Sequence, residues 1–128
     1  MSDIESFSPK GMFHEGWKAK VNDYAIACGW ALKGKLFIVG DVSGGLFAFE
    51  GNTGEIIWKR DDAHSGGLLA MSIHPEGEIF ATSGQNGNVQ IYDSNKGKLI
   101  KTIELGRGWA EHLNWSNDGF YLATTFSK

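Results

Sequence analysis

Gly67–Lys101 reads GLLAMSIHPEGEIFATSGQNGNVQIYDSNKGKLIK. Short apolar runs alternate here with turns that carry glycine, which is the pattern of strands joined by tight hairpins. Four strands are expected, at about Leu68–Ile73, Ile79–Ser83, Val89–Tyr92 and Leu99–Glu104. His74-Pro75-Glu76-Gly77 turns the first into the second. Asn86-Gly87 is a two-residue hairpin signal, because both residue types tolerate positive φ. Ser94–Lys98, with Gly97 inside it, makes the last turn.

The same pattern occurs twice more. Tyr24–Trp58, YAIACGWALKGKLFIVGDVSGGLFAFEGNTGEIIW, aligns with the first stretch without a gap. Gly34, Gly44 and Gly54 fall on Gly77, Gly87 and Gly97, each 43 residues on. Leu36, Phe37, Leu46 and Ile56 fall on Ile79, Phe80, Val89 and Leu99. A third copy begins near Ala110 as AEHLNWSNDGFYLATTF, with Gly119 lying 42 residues after Gly77. It contains two strand-like runs. The second strand of each full copy, Leu36–Val39 and Ile79–Ala81, is apolar on both faces. Such a strand suits a sheet stacked between two like sheets. Four strands every ~40–45 residues is the period of a propeller blade. No 3.6-residue periodicity supports a helical solenoid. The expected fold class is therefore all-β: propeller blades built as four-stranded antiparallel sheets, in an incomplete ring. The segments are an N-terminal irregular segment over 1–16, an outer strand plus first blade over 17–62, a second blade over 63–104, and the first half of a third blade over 105–128.

The second unit resembles a WD repeat (WD40) from end to end, with Tyr92-Asp93 where that family has its Trp-Asp pair. WKAKVNDYAIACGW and GRGWAEHLNW resemble a bacterial group of WD-repeat proteins. In the family a buried His, Ser/Thr, Asp and Trp form a hydrogen-bonded network. The resemblance carries these roles onto His64, Thr82, Asn86 and Tyr92, with Asn for Asp and Tyr for Trp. The first unit has Val21, Val39, Ser43 and Phe49 at those places and must rely on apolar packing. Its LFAFEGNTGEIIW also resembles quinoprotein-like propeller repeats through Ala48, Thr53, Gly54, Glu55 and Trp58. This resemblance implies kinship of blades rather than a quinone cofactor.

Propellers typically have four to eight blades. With about two and a half, either the chain is an N-terminal fragment or the ring is completed by oligomerisation, and the open edges favour the fragment. Further blades, in the same chain or from other copies, are thus expected partners.

The composition, 41% hydrophobic and 21% charged, is that of an ordinary globular chain, and the net charge is -3. No Lys/Arg-rich run points to nucleic acid. No apolar run is long enough to span a bilayer as a helix, so no membrane partner is expected. One cysteine and no signal-like start make cytoplasmic the expected location. Cys28 falls in an inner strand and reads as a small buried thiol.

The histidines, His14, His64, His74 and His112, have no metal-ligand spacing, so no metal and no cofactor are expected. No catalytic set is expected either. Glu111 and His112 are the only groups on the inner strands polar enough for chemistry. What remains is recognition. The loops entering the inner strands and those between second and third strands should share one rim. That rim offers Tyr24, Asp41, Gln85, Arg107 and Trp109 as protein-binding candidates, with Tyr, Trp and Arg the types enriched at hot spots. Asn22, Asp23 and Ser65 belong to the same loops. Trp109 either serves there or folds down over the channel mouth, and inward packing is favoured. The expected function is a non-catalytic scaffold that binds proteins, of unknown identity, through its rim loops. The alternative is part of an enzyme or small-molecule-binding propeller, quinoprotein- or lyase-like, whose site lies mostly in other blades.

Overall fold

The computed structural model describes residues 2–8, 14–61 and 63–128. They form twelve strands: β1 Ser2–Ser8, β2 His14–Val21, β3 Ala25–Ala31, β4 Leu36–Asp41, β5 Leu46–Glu50, β6 Ile56–Arg60, β7 Leu68–Ile73, β8 Ile79–Gly84, β9 Asn88–Asp93, β10 Leu99–Glu104, β11 Trp109–Trp115 and β12 Leu122–Ser127. Each of β3–β6 and β7–β10 is a four-stranded antiparallel sheet paired in sequence order. β1–β2 and β11–β12 are two-stranded. These are propeller blades without a closed ring.

The strand bounds in the second blade lie within one residue of those expected from sequence. The N-terminal segment differs. Instead of an irregular stretch over 1–16, the described residues Ser2–Ser8 pair with His14–Val21. Burial alternates along the first strand, with Ile4 buried between exposed Asp3 and Glu5, which is the period of a half-buried strand, but the polar pair Glu5-Ser6 breaks the pattern in the residue types. Its charges, which pair on the outer face as Lys18–Glu5 (3.7 Å) and Lys20–Asp3 (3.8 Å), obscure that signal.

Three apolar layers hold the blades face to face. Ile4, Val21, Val39, Phe47 and Phe49 fill the layer between the N-terminal hairpin and the first blade. Ile38, Leu46, Ala48, Trp58, Leu68, Phe80 and Tyr92 fill the layer between the two full blades. Ala81, Val89, Ile91 and Ala110, with Leu113, Trp115 and Leu122 around them, join the second blade to the C-terminal hairpin. The central strands β4 and β8 are therefore buried on both faces, as their composition predicts. In the middle layer Phe80 stacks between Trp58 (6.0 Å, 11°) and Tyr92 (5.3 Å, 15°).

One contact repeats between blades. Trp58 Nε1 donates to the Ser94 carbonyl (2.9 Å), and its ring lies over Gly97. A Cβ on Gly97 would come within 2.5 Å of that ring, and the residue's φ is +67°, so two constraints demand glycine there. Trp17 donates to the Gly51 carbonyl (2.8 Å) and lies over Gly54 in the same way.

Cys28 is exposed, against the expectation of a buried thiol. Its side chain sits on the face of β3 that looks away from the second blade, where the N-terminal hairpin packs on β4 and β5.

Candidate interaction rim and buried histidine network

Two sets of loops meet on one rim. Those entering the inner strands are 22–24, 63–67 and 105–108. Those between second and third strands are 42–45 and 85–87. Backbone hydrogen bonds tie each set to the other: Val42 N–H to Tyr24 O (2.8 Å), Ala63 N–H to Gly44 O (2.8 Å), Gln85 N–H to Gly67 O (3.0 Å) and Leu105 N–H to Gly87 O (2.9 Å). The Ser43 hydroxyl adds a hydrogen bond to the Asp23 carboxylate, which with the Tyr24 N–H holds that carboxyl below its ordinary pKa. The rim is thus a laced platform rather than a set of independent loops.

Four of the five rim candidates present themselves on it. Tyr24 is 67% exposed and Trp109 50%. Gln85 and Arg107 are exposed beside them. Asp41 is not available: it is 1% exposed, and its Oδ1 accepts the Gly45 N–H (2.8 Å). Its carboxylate closes the turn after β4, a local role that a position-by-position view of the rim cannot separate from display.

Beneath the rim lies the polar cluster of the second blade. His64 is 1% exposed, with Nε2 2.7 Å from Thr82 Oγ1 and Nδ1 3.1 Å from Asn86 Oδ1. Asn86 Oδ1 also accepts the Asn88 N–H (3.1 Å). An amide oxygen can only accept, so His64 Nδ1 carries the proton and Nε2 accepts from the Thr82 hydroxyl. Burial lowers the His64 pKa, with the Asn86 bond pulling the other way. Tyr92 does not join this cluster. Its hydroxyl donates to Gln90 Oε1 (2.7 Å), and Gln90, which pairs with Thr82 across the sheet, stands between them. The Asn86 contribution was implied by the resemblance to a WD repeat; the Gln90 diversion was not, because it depends on two side chains sharing one strand face.

The remaining polar candidates do not converge. His112 Nδ1 lies 2.8 Å from Thr125 Oγ1 on an exposed strand face. His74 Nε2 donates to the Gly119 carbonyl (2.9 Å), and its Nδ1 accepts the Glu76 N–H (3.1 Å), which locks the turn between blades. Among the described residues no three His, Cys, Asp or Glu side chains gather as a metal site. A recess of about 520 Å³ lies on the opposite rim between Trp30, Leu32, Lys33, His74 and Glu76. Of the residues shared with quinoprotein-like repeats, Ala48 and Trp58 pair across β5 and β6 and Gly54 seats Trp17, so they serve blade packing.

Residues 52–118 match the family described as the anaphase-promoting complex subunit 4 WD40 domain. The match spans just over half of the chain. The chain belongs to this WD40 family. An uncharacterized WD repeat-containing protein of Schizosaccharomyces pombe is 27% identical over 117 residues, which are 90% of this chain and 20% of that protein. Subunit I of eukaryotic translation initiation factor 3 from Candida glabrata is 26% identical over 91 residues, 71% of this chain and 25% of that protein. The chain thus spans about a fifth to a quarter of these relatives' length. The matches support WD40 membership without singling out a bacterial or a quinoprotein-like branch. No helix among the described residues of this WD40 chain is long and apolar enough to cross a membrane.

Proposed function

We propose that this WD40 chain is part of a non-catalytic scaffold that binds a protein partner through the rim bearing Tyr24, Gln85, Arg107 and Trp109. One observation carries the reading: Tyr24 stands exposed on a rim loop and Trp109 at the rim end of β11, and the loops of that rim are hydrogen-bonded in series. A rigid platform limits the ordering cost of binding, and exposed Tyr, Trp and Arg are the side chains that most often dominate interface energy. The names of two similar proteins agree with such a role, since the anaphase-promoting complex and translation initiation factor 3 are both described as multi-subunit assemblies. Which partner this chain takes is set by the rim's chemistry: an apolar or aromatic anchor for Tyr24 and Trp109, with an acceptor for Arg107. A cytoplasmic setting fits a chain with a single, exposed thiol.

The test compares two rims. Tagged protein carrying Tyr24→Ala, Arg107→Ala and Trp109→Ala is used for affinity capture from native extract with quantitative mass spectrometry, beside a variant of the opposite rim, Phe120→Ala with Tyr121→Ala. Loss of a specific co-purifying protein only with the first set is expected. Equal retention by both variants would refute the assignment to this rim.

A further inference from the structure

We propose that the groove between the two full blades, on the rim opposite Tyr24 and Trp109, binds an extended segment of a partner protein in which basic and acidic residues alternate.

Two turns form the walls of this groove. Residues 31–35 close the hairpin of β3 and β4, and residues 74–78 close that of β7 and β8. Both turns belong to full blades. Recesses of about 520, 170 and 490 Å³ adjoin along them. Leu32 and Glu78 line all three, so the recesses make one groove, which runs on to Asp93 and Asn95 at the end of β9. A groove of that shape takes an extended chain rather than a compact ligand.

The walls carry opposite charge at equivalent positions. Lys33 and Lys35 stand on the first, and Glu76 and Glu78 lie 43 residues after them on the second. All four are exposed, and neither lysine is ion-paired with either glutamate. A ligand that meets both walls must be anionic along one side and cationic along the other. Side chains of an extended chain point alternately to opposite sides, so alternating basic and acidic residues supply that pattern. The methylene stems of the basic residues can lie over Leu32, the apolar side chain common to the whole groove.

The first wall is built at a conformational cost. Residues 74–77 reverse the chain with one positive φ, at Gly77 (+79°). Residues 31–34 use three, at Leu32 (+51°), Lys33 (+55°) and Gly34 (+84°). Leu32 and Lys33 carry a Cβ, which disfavours this region. Reversal alone does not call for it. What the strained turn achieves is a tie across the groove: the Leu32 N–H donates to the Gly77 carbonyl (3.3 Å). One blade on, the His74 ring makes that tie to the Gly119 carbonyl (2.9 Å), and Ala31 stands in the place of His74. A backbone donor thus replaces an imidazole, and Leu32 is set into the groove. Backbone strain of this kind collects at ligand sites.

The test measures fluorescence anisotropy of labelled peptides with the intact protein. A peptide in which Lys and Asp alternate should bind, and more weakly as salt is raised. The same residues in two blocks, all Lys and then all Asp, should bind at least ~10-fold more weakly. Glu76→Lys with Glu78→Lys gives both walls the same charge and should weaken binding of the alternating peptide by at least ~10-fold. Adding Lys33→Glu with Lys35→Glu exchanges the walls. The alternating peptide fits either way round, so its binding should return, which also separates the loss from a failure to fold. No binding of the alternating peptide, equal binding of the block peptide, or no recovery in the fourfold variant would overturn the proposal.

Discussion

The two full blades have nearly the same backbone and solve one problem with different chemistry. Both must fix the rim-side end of their second strand. In the second blade His64 fills the space and bonds to Thr82 and Asn86, so the equivalent of Asp41 has to be Gly84. A Cβ on Gly84 would lie 2.6 Å from both the His64 Cβ and the Gly67 carbonyl oxygen. In the first blade Val21 stands in the place of His64, leaving room for Asp41 to turn inward and close the next turn through Gly45. Val39 replaces Thr82, and Asp23 with Ser43 holds the loops together from outside. The lesson is one of coupled positions: a large buried ring with a glycine, or a small aliphatic residue with a carboxylate, each internally consistent and neither transferable by halves.

The largest expected effect probes what the blades share. Phe80 is fully buried and stacked on both sides. Phe80→Ala should cost ~3–5 kcal/mol in denaturant unfolding, because a large cavity opens in the layer joining the two blades. A cost under ~1 kcal/mol would mean the blades are not stabilised through this layer.

The next effect tests the coupling. Gly84→Asp should cost ~1–3 kcal/mol by overpacking against His64. Adding His64→Val, which imports the pair found in the first blade, should recover part of that loss. The double-mutant cycle should therefore be non-additive. Strict additivity of the two single changes would break the comparison.

The smallest effect is a pH dependence that the second blade has and the first lacks. The folded pKa of His64 lies below the ordinary 6.5 because burial disfavours the imidazolium. The unfolded chain therefore takes up the proton first as pH falls. Stability contributed by neutral His64 is fully present above about 6.5 and declines below it, until the lower folded pKa is passed. His64→Val should flatten the part of the stability profile below about pH 6.5, measured by chemical denaturation at a series of pH values. An unchanged slope would mean His64 is not held neutral.

The blade period and the strand positions could be located in the sequence, because they rest on local turn chemistry and alternation that recur every 42 or 43 residues, whereas the seat of His64 beside Thr82 and Asn86 was implied by the resemblance to a WD repeat. Asp41 was misjudged as a displayed group. A rim position fixes where a backbone lies, but not whether a carboxylate faces water or the Gly45 amide. Tyr92 was drawn into the wrong cluster for a similar reason, since Gln90 intercepts its hydroxyl.

The sequence by itself determined an all-β chain of repeated four-stranded units, since glycine turns and apolar runs act over a few residues and need no distant partner. Only the tertiary structure decided that Ser2–Ser8 pairs with His14–Val21 and that this hairpin packs on the first blade. That packing rests on contacts across 34 residues of chain, such as that from the Trp17 indole to the Gly51 carbonyl. The exposure of Cys28 and Trp109 was decided in the same way, because burial depends on which sheet stacks on which and not on the residue's own preference.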